Sequence, residues 1–506
     1  VTLADHLPIL PVAIPALAAP VALLAMRRRR ALAVGIAFAA ILAQLAVALV
    51  LMARVSGGTI LAYRLGDWPA PIGIVLVADR LAALMLVLTS VLALIALLHG
   101  VVTRADRKGW HFHPLFQFQL MGLNGAFLTG DLFNLFVFFE VLLIASYGLM
   151  LHGQGPARLK AGVQYVVVNL VGSSLFLIAL GMLYALTGTL NMADMGLRIA
   201  AVPAADQVML RIAGLLLTSV FALKAAVVPL HLWLPRTYAV STPAVAALFA
   251  IMTKVGVYSL VRVVPQVFGE GAGAAAWVPA PWLLPAALVS TVIGFAGVFV
   301  ARSLSEQAAW AVIGSTGTLL IAVAGWSPES LGAGLYYLVH STLAGAALFL
   351  VADVAARRRG SFGDTASPGP AFAGRGIVAL LFMAAAIAAT GLPPLSGFIG
   401  KLLILASLAG LPDWGWGWSV ILGTTFIAVV GFARTGSAVF WKSAEGCETP
   451  PAPASRADMI APALAIAALA ALSAGAGVVS AYTDAAAAQV LTPVESAAAV
   501  LGEGAE

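Results

Sequence analysis

The sequence predicts an all-α polytopic membrane protein with about 14 transmembrane helices, two of them broken. Three observations carry that expectation. Hydrophobic residues make up 62% of the 506-residue chain and charged residues 9%, whereas soluble domains carry about 25% charged residues; mean hydropathy is +1.02. Apolar runs of spanning length, about 20 residues each, follow one another with short polar breaks. Two runs, 208–238 and 375–409, exceed a single span and contain helix breakers, at Pro229 and at Gly391, Pro393 and Pro394.

In order, the apolar runs are 7–25, 31–53, 79–101, 114–130, 132–151, 163–187, 208–238, 242–264, 282–301, 307–325, 331–355, 375–409, 418–441 and 459–482. The first lacks a basic lead-in and is followed by Arg27 to Arg30, so it reads as a retained helix rather than a secretory signal. Segment 356–375 is the longest polar loop and 443–458 the most linker-like stretch. The Ala-rich tail after Tyr482 reads as a short amphipathic or disordered end.

The formal net charge of +6 is spread through short loops, not gathered on one face, which argues against nucleic acid as a partner. Membrane orientation accounts for it better. Alternating the loops places Arg27 to Arg30, Arg104, Arg107, Lys108, Arg158, Lys160, Arg236, Arg302, Arg357 to Arg359, Arg375, Lys442 and Arg456 on one side. Arg54, Arg64, Arg80, Arg198, Arg211 and Arg262 fall on the other. Lys and Arg collect in the cytoplasm, so the richer side is expected inside, both termini outside, and the chain in a bacterial plasma membrane. The single cysteine, Cys447, excludes an internal disulfide. With seven scattered histidines it leaves no spacing for zinc or an iron–sulfur cluster, so neither cofactor nor metal is expected.

Charges inside spans cost about 2.5–3.5 kcal/mol each on insertion scales and mark functional sites. Glu140, Lys224, Lys254, His340 and Lys401 lie within apolar runs. They are the expected proton-pathway residues, with Glu140 paired to Lys224 and the two ionisation states switched by a moving proton. The competing reading is a static ion pair. Burial disfavours the charged form of a lysine, and histidine titrates near neutrality; both suit a relay. Pro229, Gly391, Pro393 and Pro394 mark broken helices, which point to transport sites when they occur in both halves of a transporter.

Secondary candidates have ordinary alternatives. His231 lies just past the first break and could feed protons in or pack on Trp233. Asp131 and Asp353 sit at helix ends, where capping is ordinary, and Arg434 can snorkel. Asn169, Ser173 and Ser174 more often hold helices together than line a path.

These residues resemble the antiporter-like subunit family shared by respiratory complex I and the multisubunit Mrp-type Na+/H+ antiporters. The carriers are Glu140, the Lys224 to Pro235 run with its Pro-x-His-x-Trp-Leu-Pro pattern, Lys254, His340, and the Gly391 to Lys401 run. Leu248, Phe249 and Ala250 where many complex I members have a histidine, and a lysine rather than a glutamate at 401, which argues against one of the complex I subunits, place the chain nearer the Mrp branch. The resemblance implies N-terminal helices in 1–113, two inverted five-helix repeats in 114–264 and 265–441, and a linker, last helix and tail in 442–506. It also implies partner membrane subunits, a proton path along a central polar axis, and exchange of protons for a monovalent cation, Na+ first. A proton-pumping subunit of a redox complex and a non-transporting structural subunit are the alternatives.

Overall fold

Long apolar stretches with few backbone competitors form helices because a lipid interior leaves no other way to satisfy N–H and C=O groups. The computed structural model describes residues 5–27, 29–410, 414–442 and 455–502. Arg28, residues 443–454 of the expected linker with Cys447, and residues 503–506 lie outside the described residues.

Spans α1 (Leu10–Met26), α2 (Arg30–Val55) and α3 (Arg80–Val102) come first. α4 (Phe112–Leu128), α5 (Leu132–Leu151), α6 (Pro156–Thr187) and the short α7 (Met192–Arg198) follow. The first broken helix comprises α8 (Gln207–Lys224) and α9 (Leu234–Val240). After α10 (Pro243–Phe249) and α11 (Met252–Val267) come α12 (Ala280–Val300), α13 (Leu304–Val323) and α14 (Pro328–Arg358). The second broken helix is α15 (Arg375–Thr390) with α16 (Ser396–Leu408). α17 (Trp414–Gly436), α18 (Ile460–Ala474), α19 (Ala476–Val490) and α20 (Pro493–Leu501) complete the order.

Among the described residues eleven helical stretches are long and apolar enough to cross a membrane. α4, α13 and the α15–α16 pair fill the remaining places of the expected fourteen. α13 carries Ser, Thr and Gln without penalty because nearly all of its residues are buried against other helices. The hub of the bundle is α3, α10–α11, α13 and α14; within Pro243–Val267 every residue except Pro243 and Gln266 is buried. Outer helices turn apolar side chains outward, as α6 does with Val163, Val167, Leu170 and Val171, which suits lipid or partner subunits.

The structure corrects several expectations. Run 242–264 is not one helix: it breaks between α10 and α11, where Ala250 and Ile251 bond back three residues to Ala247 and Leu248. The cause is a side chain entering the ladder, since the Tyr238 hydroxyl donates to the Phe249 carbonyl at 2.8 Å. Run 459–482 likewise divides at Gly475. The tail after Tyr482 is helical to Leu501, with Ala497 and Val500 buried against Val75 and Val77. Those valines belong to a two-stranded antiparallel ribbon, β1 (Leu61–Arg64) and β2 (Val75–Ala78), which pairs Leu61 with Ala78.

Arg262, expected in an outer loop, is instead inside α11 and 6% exposed. It grips Asp79, the cap of α3, through two bonds of 2.5 and 2.8 Å. Burial opposes the Asp79 carboxylate, but the Arg262 charge and bonds hold its pKa below the usual carboxylate range. At the opposite end Arg358 forms a second two-pronged pair with Asp458, at 2.8 and 2.7 Å, tying α14 to the segment that leads into α18. Such bidentate pairs fix orientation as well as distance.

Candidate functional site

Each broken helix stops inside the bundle beside a lysine. In the first, α8 ends at Lys224 itself, and the chain runs through turns from Ala225 to Trp233. The Trp233 indole donates to the Leu223 carbonyl at 3.1 Å, satisfying part of the open helix end. In the second, α15 ends at Thr390 and Gly391 turns the chain at φ 77°, ψ 39°. Lys401, one helix later, reaches back so that its Nζ donates to the Thr390 carbonyl at 2.8 Å. Each break also contains a cis X-Pro bond, at Val228–Pro229 and Pro393–Pro394.

Glu140 and Lys224 are not joined directly, contrary to the expected pair. Lys224 is 5% exposed, and its Nζ donates to Asn169 Oδ1 at 3.1 Å. Glu140, half-buried on α5, accepts from the Ser173 hydroxyl. Asn169 and Ser173 are four residues apart on α6 and therefore share one face, so α6 bridges carboxylate and ammonium. The two charges remain electrostatically coupled. Asn169 and Ser173 thus belong to the site, whereas Ser174 points outward and bonds its own helix at Leu170.

From Lys224 the polar line continues inward. Gly256 of α11 lies against the end of α8: a Cβ there would come within 2.5 Å of the Ala225 nitrogen and 2.6 Å of the Phe221 carbonyl. That approach brings Lys254, wholly buried one half-turn earlier, to the centre. Lys254 Nζ lies 3.5 Å from Thr316 Oγ1 of α13, which is 3.4 Å from Thr253 Oγ1. Beside Thr316, a cavity with room for about one water lies between Ser315, His340 and Ser341. His340 Nδ1 is 2.9 Å from Ser396 Oγ at the start of α16, and the ring lies within electrostatic reach of both Lys254 and Lys401. Lys401, 5% exposed, also bonds Thr425 of α17 at 2.6 Å.

Five titratable groups within the bundle therefore lie among polar partners: Glu140 with Ser173, Lys224 with Asn169, Lys254 with Thr316, His340 with Ser396, and Lys401 with Thr425. Thr316, Ser396 and Thr425 were not anticipated. Their signal in the sequence is only a hydroxyl inside an apolar run, which most spanning helices also carry.

The secondary candidates divide. His231 packs on Trp310, ring centroids 5.8 Å apart, rather than on Trp233. Asp131 caps α5 by accepting from the Asn134 nitrogen at 2.7 Å, and burial raises its carboxyl above the usual range. Arg434 is exposed, stacks on Phe299 and caps the end of α12 at the Phe299 carbonyl. Asp353 bonds Arg357 and His99, away from the central line. No group of three or more His, Cys, Asp or Glu fit to hold a metal occurs among the described residues.

Residues 129–429 match the family model described as NADH:quinone oxidoreductase/Mrp antiporter, TM. A probable K+/H+ antiporter subunit of the D type from Rhizobium meliloti is 41% identical over 476 residues, covering 87% of this chain and 88% of that one. An Na+/H+ antiporter subunit of the same type from Bacillus subtilis is 36% identical, covering 87% and 88%. Among solved structures, a chain of the Mrp complex from Dietzia sp. DQ12-45-1b superposes with TM-score 0.88 at 28% identity, covering 99% of this chain and 100% of that one. A chain of respiratory complex I from Thermus thermophilus has the same fold, with TM-score 0.77 at 24% identity, covering 96% and 99%.

Proposed function

Because the chain belongs to the NADH:quinone oxidoreductase/Mrp antiporter family and is a transporter subunit of the D type, not an enzyme, we propose that its buried line of charges is the proton path of a multisubunit exchanger. Protons cross along Glu140, Lys224, Lys254, His340 and Lys401, and a monovalent alkali cation moves the opposite way. The observation that carries this reading is that buried titratable and polar groups recur from one break to the other. A hydroxyl, an amide or a water-sized cavity lies between Glu140 and Lys224, between Lys254 and His340, and beside His340 on the way to Lys401, and Gly256 packed on the end of α8 brings the helices of Lys224 and Lys254 together.

The chemistry follows from burial. An ammonium held among apolar groups gives up its proton more readily than one in water, and a neighbouring charge change tips the balance by the coupling between them. Protonating Glu140 removes the charge that favours the ammonium of Lys224, so Lys224 releases its proton towards Lys254. Helices α4 to α11 and α12 to α17 supply the two inverted repeats. The Lys/Arg-rich end faces the cytoplasm, leaving both termini outside. Partner membrane subunits cover part of the apolar outer surface and complete the cation route. Relatives carry Na+ or K+ in their names, so Na+ is the first cation to test and K+ the second.

In everted vesicles bearing the whole complex, Glu140→Ala, Lys224→Ala and Lys401→Ala should each abolish cation-dependent dissipation of a pH gradient while the complex still assembles. Near-normal exchange in all three sinks the reading. Loss of assembly instead of exchange favours a structural role.

A further inference from the structure

The seam between α12 and α17 faces outward, apart from the central line. Near the Lys/Arg-rich end it opens into a cavity of about 360 Å³ lined by Ala296, Phe299 and Val300 of α12 and Phe426, Ile427 and Val430 of α17, with no polar side chain among them. Val300 and Phe426 are 64% and 69% exposed, so the walls stand open to whatever surrounds the protein. Close helix contact shuts the floor: a Cβ at Gly431 of α17 would lie 3.1 Å from Phe299 Cα.

A cation stands at the rim. Phe426, Val430 and Arg434 follow one another at four-residue spacing, so the apolar wall and the guanidinium share one face of α17. At 1.5 Å per residue that stripe is about 12 Å long. Arg434 is held in place: its guanidinium lies 4.9 Å from the Phe299 ring centroid, and Nη2 donates to the Phe299 carbonyl. Its Nε and Nη1 have no acceptor among the described residues, and no carboxylate there pairs with it. Arg302, exposed just past the end of α12, adds a second cation at the same end, while the nearby Glu306 carboxylate accepts from the Arg302 backbone nitrogen at 2.9 Å.

We propose that the α12–α17 groove at the Lys/Arg-rich end binds an anionic phospholipid, with one acyl chain along Phe299, Phe426 and Val430 and the phosphate on Arg434. A long basic side chain near the end of an apolar span carries its charge to the headgroup level, and free guanidinium N–H groups match phosphate oxygens. A partner helix, about 10–12 Å across, could lie over the groove but not enter it, and would have to bring an acid into lipid to meet Arg434. The outer half of the same seam supplies a contrast. A cavity of about 450 Å³ between Ala280, Pro281, Leu284, Pro285 and Leu288 of α12 and Trp416 of α17 has no basic residue in its lining, so it selects no headgroup charge. The lipid site does not depend on the proton path.

The test uses the full complex, stripped of its own lipid in detergent and reconstituted in phosphatidylethanolamine vesicles. These carry a trace of phosphatidylglycerol with a photoreactive group at the end of one acyl chain. On illumination the wild type should be labelled within 296–300 and 426–430, and unlabelled phosphatidylglycerol should compete. A matched photoreactive phosphatidylethanolamine should label the same peptides about fivefold less, the scale of one basic residue beside an anionic group. Arg434→Gln keeps a donor for the Phe299 carbonyl but no charge, and should erase that preference; Arg434→Lys should retain most of it. Val430→Trp fills the groove and should remove labelling by both lipids, while peptides around Trp416 stay labelled without preference. Equal labelling by the two lipids in the wild type, or a preference that survives Arg434→Gln, overturns the site. So does absence of label from both peptides, the outcome if a partner subunit covers the seam.

Discussion

The two broken helices solve one problem with different parts. Lys224 is the last residue of the helix before its break, whereas Lys401 belongs to the helix after its own. In sequence they look unrelated by symmetry. In space both ammonium groups lie at the C-terminal end of the leading half-helix, Lys224 by position and Lys401 by reaching back to Thr390. That end carries the negative pole of the helix dipole, and each ammonium also lies over a phenylalanine ring, Phe139 at 5.8 Å and Phe295 at 5.2 Å. What the repeats share is an electrostatic position, which a side chain can reach from either side of a break.

The partners differ more. Lys224 is linked through Asn169 and Ser173 to a carboxylate, while Lys401 has a backbone carbonyl and the Thr425 hydroxyl. Among the described residues, only the first site therefore has an acid whose protonation can push on its lysine. The turns differ too. Gly391 takes the left-handed conformation in the second break, and Ala226 takes it in the first at φ 56°, where a Cβ is strained.

The largest effect expected from breaking this comparison is at the one-sided acid. Glu140→Gln keeps an acceptor for Ser173 but not the charge, and should lower exchange by about 100-fold, the scale of a general acid or base. Gradient dissipation in vesicles measures it, and a loss under about threefold would mean that Lys224 needs no acid. Next comes the turn. In Gly391→Ala the new Cβ would stand 2.7 Å from Lys401 Cδ at a positive φ. The strain of about 1–3 kcal/mol should lower the melting temperature of the complex and its exchange together. Ala226→Gly at the other break should leave stability within about 1 kcal/mol of wild type. Equal penalties at the two positions would contradict the assignment of strain. The smallest difference separates the lysine partners. Asn169→Ala leaves Lys224 without its side-chain bond and should cost about tenfold in exchange, from about 1–3 kcal/mol. Thr425→Val should cost only about two- to threefold, because Lys401 keeps Thr390 and loses one bond of about 0.5–1.5 kcal/mol. The reverse order would show that the hydroxyl, not the carbonyl, holds Lys401.

Several features were open to inspection in the chain. Pro229 and the Gly391 to Pro394 run announced both breaks because Pro and Gly disrupt a helical ladder wherever it lies. The third interruption, ahead of Lys254, was not legible: Ala250 and Ile251 are ordinary helix residues, and the cause is Tyr238 bonding Phe249 from a neighbouring helix. Arg262 was misplaced for a similar reason. A charge near the end of an apolar run reads as a loop residue until the chain brings Asp79 to meet it.

Composition, run length and breakers thus determined by themselves that this is a many-spanning helical protein with two interrupted helices and five charges at depth. Those properties are local, set by what each stretch of chain costs in lipid. The tertiary structure decided which charges communicate. Glu140 reaches Lys224 only because α6 presents Asn169 and Ser173 on one face between α5 and α8, and Lys401 meets the end of α15 only because the chain folds back at Gly391. Hydrogen bonds act over about 3 Å, and bringing residues from separate helices within that distance is a property of packing that no single stretch of sequence encodes.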